Sequence, residues 1–225
     1  MPTWKAVKWY FRGLFPPVTT AVLFLFMLAA AYSSLGSIKN QGPGQFVTLM
    51  EYIFLPVYGV LIASHIMRDS KTTVFELSIF NGPRTVYWVR VFIVALGLAP
   101  GIVGIAAMTW LRGYHSFAVS LLLKLPAYTA FAAIIAAVLD SLAGSITFFI
   151  LTSAIPMSFR VLLQSNGSTG GIMAALSYVF APMTTVEFRK AILMPRTTGY
   201  VILISLSALL LLLGYAMFER REYSP

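Results

Sequence analysis

The chain has 225 residues, 59% hydrophobic and only 10% charged, with 16 Lys and Arg against 7 Asp and Glu. So few charges cannot cover the surface of a water-soluble domain of this length, which makes lipid the solvent for most of it. Cysteine is absent, which excludes disulfides, thiolate metal sites and cysteine nucleophiles, and the formal charge of +9 reads as basic residues flanking membrane spans rather than as a nucleic-acid footprint.

The first element is residues 1–15, around "WKAVKWYFRGLF". At about 100° per residue, Val7, Tyr10, Phe11 and Leu14 gather around Trp4, while Lys5, Lys8 and Arg12 line an adjacent arc. That is the layout of a helix lying in the membrane interface, with Pro16 and Pro17 turning the chain into the bilayer. No small-residue cleavage site follows the next apolar run, so the N-terminus is expected to be retained.

Crossing a hydrocarbon core takes about 20 apolar helical residues. Six stretches qualify: 18–35, 46–67, 86–110, 117–139, 143–163 and 198–218. They are too long and too uniformly apolar for β-barrel strands, so the expected class is an all-α integral membrane protein with six spans in a single domain. An even count puts both termini on one side. Lys5, Lys8, Arg12, Arg68, Lys71, Arg84, Arg220 and Arg221 fall on that side, against Lys39, Arg112, Arg189, Lys190 and Arg196 on the other. The basic bias puts the termini in the cytoplasm of a multi-pass cell-membrane protein.

Between spans two and three lies "RDSKTTVFELSIFNGPRTVYWVR", the one stretch with the grammar of a soluble helix. Thr73 and Glu76 form a T-x-x-E pattern, in which Thr73 would cap the helix and Glu76 would bond back to the Thr73 amide. Val74, Leu77 and Ile79 or Phe80 supply an apolar side, and Asn81, Gly82 and Pro83 stop the helix, giving an element within 69–84. Two turns are too few to hold in water alone, so something must pack on them. Before the last span, "QSNGSTGG" is a flexible loop, and two short pieces within 172–193 suit re-entrant or interfacial helices.

Chemical motifs are sparse. The chain has no phosphate-binding loop, no H-E-x-x-H, no G-x-S-x-G and no pair of carboxylates within one span, so no catalytic, cofactor or metal residues are assigned to it. His65 and Asp69, four apart, read as an interfacial polar pair; a membrane enzyme built on them is the alternative, as is a membrane scaffold without transport activity. Arg90, Lys124 and Arg160 are within snorkelling reach of headgroups and read mainly as anchors. Glu51, too short to snorkel far, is the candidate pathway residue.

The layout resembles the permease subunits of type-2 ABC transporters. In that family the loop after span two carries a Thr-x-x-Glu-Leu, then a Pro and a basic residue early in span three; Thr73, Glu76, Leu77, Pro83 and Arg90 stand in that order here. The usual Glu-Arg-Glu lead-in is reduced to Arg68 and Asp69. The resemblance implies an ATP-driven exporter in which this chain forms the pathway. The short helix would be a coupling helix docking on a separate ATPase subunit, which binds ATP and Mg, through Thr73, Glu76, Leu77, Phe80 and Pro83. It also implies pairing with a second copy or a homologous permease, with Glu51 near the shared pathway.

Overall fold

A computed structural model describes residues 2–14, 21, 24–25, 27–30, 32, 49–64, 66–67, 70–80, 82–165 and 196–220. Among these, every element is helical. Four helices are long and apolar enough to cross a membrane: Pro83–Leu111, His115–Val138, Ser141–Phe159 and Thr197–Arg220. They coincide with the third to sixth expected spans. Within the second, 46–67, the described residues hold a shorter apolar helix, Met50–Ser64. Most of the stretch 18–35 and all of 172–193 lie outside the described residues, as do His65, Arg68, Asp69 and Lys71 or their side chains.

Helix α1, Pro2–Leu14, opens on a proline, which a first turn tolerates because that N–H has no helical partner. Ala6 and Tyr10, one turn apart, are buried, while Lys5 and Lys8 are exposed. Trp4, the centre of the apolar side expected to lie in the membrane interface, is 72% exposed. The side that packs on protein runs through Ala6 and Tyr10, small or flat enough to lie against Pro83–Leu111.

The shorter apolar helix comprises a π-helical turn, Met50–Phe54, and α2, Leu55–Ser64. Ser70–Ile79 is α3, Pro83–Leu111 is α4, His115–Leu122 is α5 and Lys124–Val138 is α6. The fifth span is α7, Ser141–Phe149, a second π-helical turn, Ile150–Ala154, and α8, Ile155–Ser165; the last is α9, Arg196–Arg220.

Both π turns end two residues before a proline, Pro56 in one span and Pro156 in the other. Proline has no N–H for the carbonyl four residues back, and its ring crowds that carbonyl, so widening the preceding turn relieves both problems. The carbonyl that Pro56 cannot serve is that of Tyr52, and the Ser153 hydroxyl from the other π turn donates to it. The second distorted turn thus serves the carbonyl that the first leaves open.

Elsewhere the spans keep their polar groups internal, as lipid requires. The hydroxyls of Thr109, Thr129, Thr152 and Ser207 donate to the carbonyls of Ile105, Leu125, Phe148 and Leu203, each one turn back. Tyr58 donates across to the Gly97 carbonyl at 2.6 Å, beside Pro100 of α4. Tyr87 donates to the Leu211 carbonyl at 2.6 Å, pinning α4 to α9. α9 lies close along α6 because Gly214 has no side chain: a Cβ there would stand 2.7 Å from the Tyr87 oxygen and 3.2 Å from the Ile134 Cα.

Candidate functional site

α4 has 29 residues, about 43 Å at 1.5 Å per residue, more than the hydrocarbon thickness. α1 and α3 pack around its N-terminal end. Gly82, with a φ of 106° that a side chain would strain, lets the chain reverse from α3 into Pro83 at the start of α4.

α3 has two unlike faces. Thr73, Glu76 and Phe80 are buried, with Leu77 half-buried beside them, while Phe75 and Ile79 are 56% and 49% exposed with Ser78 between them. The spacings i, i+3, i+7 and i, i+4 put these sets on opposite sides of the helix. Phe80 packs on the rings of Trp9 and Tyr10, with centroids 5.8 and 6.1 Å away.

Arg90 is the hub of the buried face. Its Nε donates to Glu76 Oε2 and to the Tyr10 hydroxyl, each at 3.0 Å, and its Nη2 donates to Thr73 Oγ1 at 3.0 Å and to Glu76 Oε2. Tyr10 donates in turn to Glu76 Oε2. The guanidinium also lies 5.6 Å from the centre of the Phe218 ring, near the end of α9. Arg90 is 4% exposed and Glu76 0%, so the pair is removed from water and is held by the geometry of the fork and the extra bonds around it. Burial above all, together with the Glu76 carboxylate, pushes the Tyr10 hydroxyl above the usual phenol range against the pull of Arg90, keeping it a proton donor. One side chain of α4 thereby binds α1, α3 and α9 into a unit.

Several expectations are corrected here. Thr73 is not the cap of its helix: α3 begins at Ser70, and the Thr73 hydroxyl faces Arg90. Glu76 does not stand ready for a basic group on another protein, because Arg90 already occupies it. Phe80 and Leu77 belong to the inward core rather than to an open surface. Pro83 stands where expected, past the end of the short helix, and starts α4. Arg90 and Lys124 do not snorkel, since both are buried in ion pairs.

The second polar site joins Glu51, on the first π turn, to Lys124, at the start of α6; both are 1% exposed. The Ser153 bond to Tyr52 lies beside it, and Tyr128, also buried, meets Phe148 edge-on at 5.8 Å. Glu51 therefore faces protein within its own chain. His115 meets Trp110 edge-on, with centroids 4.3 Å apart. Among the described residues no group of three potential metal ligands occurs.

Sequence reading missed Tyr10 as a polar member of the junction, the Glu51–Lys124 pairing and the outward pair Phe75 and Ile79. A signal existed for the last, since Phe75 and Ile79 are one turn apart and out of phase with Thr73 and Glu76. No protein-family model matches the chain, and comparison with curated proteins finds no significant match.

Proposed function

We propose that this chain is the permease subunit of an ATP-driven exporter of the type-2 ABC kind, forming the translocation pathway and receiving force from a separate ATPase subunit that binds ATP and Mg. The observation that carries the reading is α3. This ten-residue helix is locked to the third span through Thr73, Glu76 and Arg90 on one face, and its opposite face offers Phe75 and Ile79. A chain without a phosphate-binding loop needs an external source of work. A rigid knob with an apolar outer face, joined by buried charge-assisted bonds to a membrane-length helix, transmits rigid-body motion rather than absorbing it.

In this reading the partner's groove is filled by Phe75 and Ile79, while Glu76 and Phe80 secure the knob from behind. The termini and α3 lie on the cytoplasmic side, and the chain works beside a second copy or a homologous permease. A photo-crosslinking residue at position 75, activated in native membranes, tests the proposal. The expected adduct is a P-loop ATPase. Adducts that contain none, from a chain that still inserts, overturn it.

A further inference from the structure

Between α1 and the start of α4 lies a cleft of about 300 Å³ lined by Val7, Arg84, Thr85, Trp88, Val89 and Phe92. Thr85, Trp88, Val89 and Phe92 follow the i, i+3, i+4, i+7 spacing, so they form one continuous wall of α4. The cleft is apolar and aromatic along its length, with a cation at its mouth. Arg84 is exposed, and it makes no ion pair with any described residue. This contrasts with Arg90 and Lys124, each neutralised by a carboxylate of the chain itself. Trp88 and Phe92 are 38% and 53% exposed. Such rings belong at the level where headgroups give way to acyl chains. α1, which meets the cleft through Val7, carries exposed Lys5 and Lys8, adding positive charge to this end of the molecule.

From this arrangement we propose that the cleft is a binding site for one anionic glycerophospholipid, its phosphate held by Arg84 and an acyl chain laid along Trp88, Val89, Phe92 and Val7. The lipid completes a surface that the described residues leave without an ion pair: it supplies an anion to Arg84 and covers the apolar wall. It also ties α1 to α4 from the outside, as Arg90 ties them from within. The site depends on membrane insertion but not on the transport reading, so either can fail without the other.

The chain contains four tryptophans, Trp4, Trp9, Trp88 and Trp110, and replacing all but Trp88 by Phe makes the wall of the cleft its own reporter. In vesicles, brominated phosphatidylglycerol is expected to quench Trp88 with about fivefold preference over brominated phosphatidylcholine, the ratio a single basic residue at an anionic surface supports. Arg84→Gln should bring that ratio to one, while Arg112→Gln at the far end of α4 leaves it unchanged. Salt gives a reading that needs no further variant. Raising it from about 0.1 to about 1 M shortens the screening length from about 10 to about 3 Å and should shrink the preference. Equal quenching by the two lipids, a preference that survives Arg84→Gln, or one insensitive to salt overturns the proposal. Absence of quenching by either lipid means that protein covers the cleft, and overturns it equally.

Discussion

Lys124 and Glu51 meet where neither can reach water, so each exists in the fold only because of the other. Removing one partner strands a buried charge, at a cost of about 3–5 kcal/mol, whereas replacing both by apolar or neutral groups of similar volume is often close to neutral. Lys124→Met is therefore expected to lower the denaturation midpoint of the detergent-solubilised chain sharply. Adding Glu51→Gln should restore most of the loss, a coupling that a double-mutant cycle reads directly. Additive losses would mean that the two side chains act separately. At the other polar site, Tyr10→Phe removes a bond worth about 1 kcal/mol at neutral pH. The raised affinity of the Tyr10 hydroxyl for its proton also gives an alkaline signature. A folded-state value above the unfolded one contributes stability that is complete below the ordinary phenol range and is lost as pH rises above about 10. Unfolding measured from pH 7 to 11 should show a shallower alkaline decline in Tyr10→Phe than in the parent chain.

α3 shows how one short helix serves two surfaces. Phe75→Asp places a charge on the outward face and touches nothing in the core, so insertion and thermal stability should stay within about 0.5 kcal/mol of the parent. Under the proposed function the same change uncouples ATP hydrolysis from transport in reconstituted vesicles. Phe80→Asp sets a charge against Trp9 and Tyr10, and should instead destabilise the fold and free α1 to proteolysis. Full coupled transport by Phe75→Asp would remove the outward face from the mechanism. The T-x-x-E pattern was legible in the sequence, but its meaning was not. Spacing by three sets two side chains on one helical face whether they cap a helix end or point together at a third group. Arg90, 14 residues beyond Glu76, decides between the two, and only folding brings it there. The paired π turns are similar: Pro56 and Pro156 mark both sites in the sequence, yet nothing local says that Ser153 will serve the carbonyl of Tyr52.

At the scale of the whole chain, spans two and five share a side of the bundle. Ile53, Val57 and Leu61 form an exposed stripe at steps of four on the second, and Leu142, Ile146 and Ile150 do so on the fifth. For a chain that pairs with a second copy along these spans, as the proposed function requires, Val57→Cys should crosslink copy to copy in membranes. Leu209→Cys, exposed on α9, should not. Because the chain has no cysteine, each introduced thiol is the only one present and the assay has no background. The reverse pattern would move the pairing surface to the last span.

Composition and apolar length alone determined that the chain is helical and built for lipid. Unpaired backbone is too costly there for any open structure, and a helix satisfies it locally without reference to the rest of the chain. The third to sixth membrane-length elements are legible within a few residues for that reason. The partners of the charges are a different matter. Glu51 and Lys124 are 73 residues apart, and Tyr10 and Arg90 are 80 apart. Whether a membrane cation snorkels or is neutralised depends on which helix packs beside it, so sequence leaves both readings open for Arg90 and Lys124. Tertiary packing closed them by placing a carboxylate against each, and left Arg84 as an exposed cation in an apolar cleft.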